Sequence, residues 1–329
     1  MGVARTNSPT TVTHIALEDV AKTLHDVRHD VCLVTSLEKE DHRTQDQPPE
    51  TPEEDSASFK RRRELKTKLR ALISDKNGCT EDKEVADAVK KLSELNPHPV
   101  NCARFELFPG EYFTRSSPNF PGRIKPSIGQ EDIVQYTLGR LSFNIFQPNE
   151  LLCTVKSIRN PVHPQYYEHD ETAATFSYHF VLELTIHAPE GDLDATLINR
   201  ATCREDEKRN NRMIVTFQGS TLIPGNHSTV DHASTLVLWE KTFANAYKKA
   251  DEQRSYFGWV YQYFLKLILG LSLPSDSRTR FDSSFHFDMK RPPKGFFDVL
   301  YLDEDMRITR GNRGTISVVE RASPIGFSP

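Results

Sequence analysis

The stretch FDSSFHFDMKRPPKGFFDVLYLDEDMRITRGNRGTISVVER (Phe281–Arg321) decides the fold. Phe281, Ser283, Phe285, Phe287 and Met289 alternate with Asp282, Ser284, His286, Asp288 and Lys290, the period of two expected of a half-buried strand. Pro292, Pro293 and Gly295 then turn the chain. Phe296–Leu302 is apolar on both faces except at Asp298, and Met306–Thr309 pairs as a hairpin with Thr315–Val319 through Gly311, Asn312 and Gly314. The same period recurs upstream. Leu141, Phe143 and Ile145 alternate with Ser142 and Asn144, Phe176–His187 is rich in aromatic and branched residues, and Leu193–Cys203 and Met213–Ile223 flank the polar segment Arg204–Arg212. Several antiparallel strands at short spacing predict a mainly β domain with flanking helices, closed as a barrel or stacked as a sandwich.

Helical spacing appears elsewhere in the chain. Leu65, Leu69, Leu72 and Ile73 form one apolar stripe, stopped by Asn77 and Gly78. Val85, Val89, Leu92 and Leu95 form a second, with Thr80 as the expected N-cap and Asn96-Pro97 as the stop. Residues 59–100 therefore read as a helix pair and residues 101–321 as the β domain, leaving 322–329 as a tail. Between late strands, Leu236, Trp239, Phe243, Tyr247 and Ala250 return to helical spacing, so a helical insertion is expected over about 234–271. Residues 1–58 carry 12 acids and 5 bases and read as an acidic extension, a short helix (Leu17–Val31) followed by a disordered linker.

Composition removes several function classes. The 329 residues suffice for a sizeable core, and 42 basic against 46 acidic side chains leave no cationic surplus for nucleic acid. No window approaches the ~20 apolar residues of a membrane span. The five cysteines contain no C-x-x-C pair, which fits a reducing compartment and no zinc site. The chain as given shows neither the apolar core of a signal peptide nor the acid-poor composition of a transit peptide, so no presequence is expected in it. No nucleophile elbow, phosphate loop, zinc-protease motif or dinucleotide turn occurs, and neither metal nor cofactor is expected.

What remains is a binding site. A small closed barrel holds one apolar ligand oriented by a few polar groups. Phe285, Phe287, Phe296 and Leu300 are the expected wall. An inward-facing Arg307 or Arg310 suits a carboxylate, a quinone carbonyl or a hydroxyl. Asp303, Glu304 and Asp305 precede them, either as structural ion pairs, as ligand contacts or, in an enzyme, as acid/base groups. The most apolar segment, SYFGWVYQYFLKLILGLSL (Ser255–Leu273), reads as a lid over the barrel or as a lipid-surface helix presenting Phe257, Trp259, Tyr263 and Phe264.

The stretch Tyr301–Arg321 closely resembles the closing motif of the plastid lipid-associated protein family, the fibrillins. LSELNPHPV (Leu92–Val100) looks like the end of that family's N-terminal helices, and FNIFQPNELLCTVKSIRNPV (Phe143–Val162) resembles its early barrel strands. The resemblance spans about residues 60–321. It departs where the family has Gly-x-Trp and this chain has Gly110, Glu111 and Tyr112, and where the insertion is longer. The resemblance implies a lipocalin-like antiparallel barrel that binds a lipid, carotenoid or quinone without catalysis, at thylakoids or plastoglobules of plastids. It also implies that Asp303, Asp305, Arg307 and Arg310 lie on the family motif. An oxylipin- or carotenoid-directed enzyme and a lipid-body coat protein are the alternatives for function, and the cytoplasm is the alternative location.

Overall fold

The computed structural model describes residues 56–100, 107–120, 122–124, 134–142, 150–165, 175–225, 232–252, 283–289 and 294–322. The strands are β1 (Gly110–Thr114), β2 (Gln135–Thr137), β3 (Leu152–Gln165), β4 (Thr175–Tyr178), β5 (Phe180–Ala188), β6 (Gly191–Glu205), β7 (Arg212–Pro224), β8 (Phe285–Asp288), β9 (Lys294–Leu302), β10 (Met306–Gly311) and β11 (Ile316–Arg321). The helices are α1 (Ser56–Asp75), α2 (Lys83–Glu94), α3 (Leu138–Leu141) and α4 (His232–Glu252).

Eight strands close an antiparallel barrel in the order β1-β3-β5-β6-β7-β9-β10-β11, with β11 returning to β1. Spatial order thus follows chain order, the up-and-down arrangement, and no edge is left open in the ring. Tyr112 of β1 pairs with Asn160 on one side and Arg321 on the other, which is where the ring shuts. β4 extends β5 across a break at His179, since both pair with β3 and β6; β8 and β9 stand in the same relation along β7. β2 pairs with the start of β3.

The helix pair covers the outside of β9, β10 and β11. Leu65, Leu69 and Ile73 of α1 and Val85, Ala88, Val89 and Leu92 of α2 are buried together with Tyr301, Met306, Ile308 and Val318. The turn between the helices depends on Gly78. Its φ of 76° is left-handed, its N–H closes on Ile73 O at 2.7 Å, and a Cβ there would stand 2.3 Å from Ser117 N.

Several local expectations are corrected by the fold. The N-cap of α2 is Asp82, not Thr80: its carboxylate accepts from Glu84 N at 2.9 Å and Val85 N at 3.4 Å. Leu141 ends the short helix α3, which Thr137 caps and Ser142 Oγ ties off at Leu138 O, so it does not begin a strand; Phe143 and Ile145 lie outside the described residues. Of the expected Phe281–Lys290 strand, Phe285–Asp288 is a strand and Ser283, with a φ of 53°, precedes it, while Phe281, Asp282 and Lys290 lie outside the described residues. Of the expected extension 1–58, residues 56–58 open α1, while residues 1–55, the stretch 253–282 with Phe257, Trp259, Tyr263 and Phe264, and the tail from 323 lie outside the described residues.

Leu69 is wholly buried between α1 and the barrel. Leu69→Ala is expected to cost about 2–5 kcal/mol, read as a lower urea midpoint at unchanged slope.

Candidate functional site: the barrel lumen

The clearest wall is β6. Leu193, Ala195, Leu197, Asn199, Ala201 and Cys203 are all buried, with the residues between them more exposed, as strict alternation in a barrel requires. Leu193–Leu197 join a cluster with Leu182, Leu184 and Ile186 of β5, Cys153 of β3 and Leu222 of β7. Ala201 and Cys203 join a second cluster with Tyr112, Val162, Tyr178, Met213, Val215, Phe297, Val299, Leu302 and Val319. Polar side chains lie between the two. Ser220 Oγ donates to Asn199 Oδ1, Asn199 Nδ2 donates to Leu141 O at 3.1 Å, and Asn160 Nδ2 donates to His179 O at 2.7 Å.

Helix α4 caps the first cluster. Trp239 and Phe243 are buried, their rings 4.6 Å apart, and Phe285 stands 4.7 Å from Phe243; Trp239 Nε1 donates to Ser283 O at 2.9 Å. The second cluster is closed from the opposite end. Arg321 reaches back over Tyr112, its Nη1 donating to Pro109 O at 2.8 Å and its Nη2 to Leu107 O and Tyr112 Oη. Two guanidiniums flank the Tyr112 ring, Arg307 at 4.1 Å and Arg321 at 4.9 Å from its centroid. A tyrosine therefore fills the stacking place at this position, where the sequence has no tryptophan.

Arg307 points into the lumen. It is 1 % exposed, with Phe108 at 5.3 Å and Tyr178 at 5.6 Å completing the ring cage. Its Nη2 donates to Asn160 Oδ1, whereas Nε and Nη1 are buried without an acceptor. Burial pushes the Tyr178 phenol up to about 12, so it stays neutral beside this cation.

Asp303 and Asp305 do different work, outside the ring. One oxygen of Asp303 accepts from the N–H groups of Asp305 and Met306 and the other from Lys66 Nζ at 2.7 Å and from Tyr301 Oη, fastening α1 to the β9–β10 turn. Asp305 takes Lys66 and Arg70, while Glu320 takes Arg70 and Arg115. Burial raises the Asp303 carboxyl despite Lys66. Burial acts the same way on Asp305, but Lys66, Asp303 and Arg70 outweigh it and hold that carboxyl below its usual range.

Of the remaining candidates, Arg310 is exposed, Phe296 lies on the outer face beneath Arg212 at 3.8 Å, and Leu300 packs toward the helix pair. Phe287 pairs in register with Ser220. The lumen therefore gathers Arg307 and, at the α4 end, Phe285, while its β9 wall is Phe297, Val299 and Leu302. Asp298 marks the outer face of that strand, and counting inward from it gives Phe297 and Val299. Asn160, Asn199 and Tyr178 carry no such mark in the sequence. A cleft of about 440 Å³ lies outside the ring, between Arg70, Ile73 and Gly78 on one side and Arg115, Val318 and Glu320 on the other, with both arginines engaged by Glu320.

The Asp305 shift sets a pH dependence. A carboxyl held low in the folded state contributes stability that is present above its ordinary value of 3.8 and lost as pH falls through and below it. The stability gap between the wild type and Asp305→Asn, followed by urea unfolding, is expected to be constant above about pH 5 and to narrow steadily under pH 4.

Residues 212–320 match the PAP_fibrillin family model, a stretch running from β7 to β11 and including Asp303–Arg310. No curated protein and no solved structure matches the chain. No helix among the described residues is long and apolar enough to cross a membrane.

Proposed function

We propose, from the premise that residues 212–320 are a PAP_fibrillin domain, that the protein is a non-catalytic carrier that shelters an apolar molecule in its barrel. The ligand class is a lipid, carotenoid or quinone, and the working place is the plastid, at thylakoid or plastoglobule lipid. One observation carries the reading: eight strands close a ring whose inward positions are apolar and, along β6, small. Ala195, Ala201 and Cys203 alternate there with Leu193 and Leu197, and a ring of eight strands is of the size that holds one small ligand. The polar groups inside are few and deep, the composition of a small-molecule site rather than of an interface. Arg307 and Phe285, with Phe297, Val299 and Leu302, are the proposed contacts, and Asp303, Asp305 and Arg310 serve the frame around them.

Purification from an algal host followed by solvent extraction and mass spectrometry is expected to yield one apolar molecule in near-stoichiometric amount. Ala201→Leu, which raises the β6 wall, should cut that occupancy at a stability cost of about 1–3 kcal/mol. No co-purifying lipid or pigment, together with no titratable binding of any member of the class, sinks the proposal.

A further inference from the structure

We infer that the lumenal ligand is a monocarboxylate with a long apolar tail, and that Arg307 is the residue that receives its head group. This rests on the proposed lumenal binding and adds the chemistry of the head.

Charge balance comes first. A guanidinium does not lose its proton in a protein, so Arg307 carries a full positive charge wherever it is placed. It is 1 % exposed. Burying an isolated ion is among the largest penalties a fold can carry, and a buried cation is normally met by an anion. Arg212 shows the usual solution, its Nε and Nη2 both donating to Asp298. Lys66 shows it again with Asp303 and Asp305. Among the described residues no carboxylate pairs with Arg307. What it has is one amide oxygen, that of Asn160, and three ring faces within 5.6 Å of Cζ. Ring quadrupoles moderate the charge without cancelling it.

The described residues around Arg307 offer no further anion. The Tyr178 phenol is held neutral by burial, and the Asp303 and Asp305 carboxylates are turned outward to α1. Meanwhile Nε and Nη1 keep N–H groups with no acceptor, each an unmade hydrogen bond. Both shortfalls, charge and acceptors, are met by the same object: an oxyanion lying in the lumen.

The size of that charge selects the class. A phosphate monoester brings roughly 1.5 to 2 negative charges near neutral pH and leaves an excess inside an otherwise apolar wall. A quinone carbonyl or an alcohol supplies an acceptor but no charge. A single carboxylate supplies both and leaves the lumen neutral. The surrounding side chains, Phe176, Val215, Phe297, Val299 and Val319 among them, accept only hydrocarbon beyond the head.

The test uses the full chain, stripped of lipid, and a matched series: cis-parinaric acid, its methyl ester and the corresponding alcohol, titrated by fluorescence. The acid is expected to bind at least ten-fold more tightly than the ester or alcohol, and Arg307→Met should abolish that preference by weakening the acid alone. Equal affinities for acid and ester in the wild type overturn the inference while leaving lumenal binding intact. A preference that survives in Arg307→Met overturns the role of Arg307. No binding by any member removes the lumenal reading and this inference with it. If Arg307→Met does not fold, the wild-type series decides alone, supported by a 13C-carboxyl NMR titration. The bound carboxyl should stay ionised as pH falls through its free pKa, and ordinary protonation there overturns the inference.

Discussion

Closure of the ring is the constraint on which the remaining structure depends. An eight-stranded meander becomes a barrel only if its first strand finds its last, and β1 is five residues long. So short a seam has few ladder bonds to hold it, and side chains reinforce it. Tyr112 sits at the seam, paired with Asn160 on one side and Arg321 on the other, and its hydroxyl donates to Leu107 O at 2.6 Å. Arg321 spends its donors on the backbone carbonyls of Leu107, Pro109 and Glu304, bridging the segment before β1 to the β9–β10 turn. Glu320, one residue earlier and facing outward, holds Arg70 of α1 and Arg115 just after β1. Ring, seam and helix pair are thus one mechanical unit, joined by charges whose partners lie more than 200 residues apart in sequence.

Strands are legible in the sequence wherever one face is wet. β6 alternates from Leu193 to Leu197, β10 and β11 are announced by their glycine-containing turn, and the helix pair by its two stripes. The β9 wall is not legible, for a definite reason. Phe296–Leu302 has apolar residues on both faces, because its outer side is covered by Arg212 at Phe296 and by the helix pair at Leu300 and Tyr301, so alternation loses its contrast. A bulge adds to this: Ile308 pairs with Tyr301 and Thr309 with Val299, leaving Leu300 without a partner and reversing the parity of the strand beyond it. Placing Phe296 and Leu300 on the wall assumes an unbroken period of two on the wrong parity.

The acidic turn illustrates a different limit. Asp303, Asp305, Arg307 and Arg310 are neighbours in the chain and read naturally as one cluster. The fold separates them completely, since residues 303 and 305 belong to a turn gripped by Lys66, residue 310 to the outer face, and residue 307 to the lumen. Proximity in sequence reports a shared site only when the local period places the side chains on one face. Here a turn followed by a strand sends them in three directions, and the opposing partner Lys66 lies 237 residues away from Asp303.

The two ends of the lumen differ in kind, and the difference orients whatever lies inside. At the Tyr112 end, closure is made of hydrogen bonds from Arg321 to backbone carbonyls, which break only when β1 leaves the ring. At the other end, closure is made of the Trp239 and Phe243 side chains of α4, with hydrogen bonds from the indole to Ser283 O and from Asn245 Nδ2 to Glu190 Oε1 at 2.6 Å. Side-chain packing can yield residue by residue, whereas ladder bonds at a seam yield together. The buried cation lies at the seam end, and the wall from Leu197 to Leu193 runs from it toward α4. A head group seated on Arg307 therefore leaves its tail one direction to take, past Asn199 and Ser220 and up to Trp239. The polar belt between the clusters is what such a chain must cross, and its members are already bonded to one another. Their hydrogen bonds are satisfied without the guest, so a hydrocarbon passing over them leaves none of these groups stranded, and Arg307 keeps two donors unmet at the head-group end.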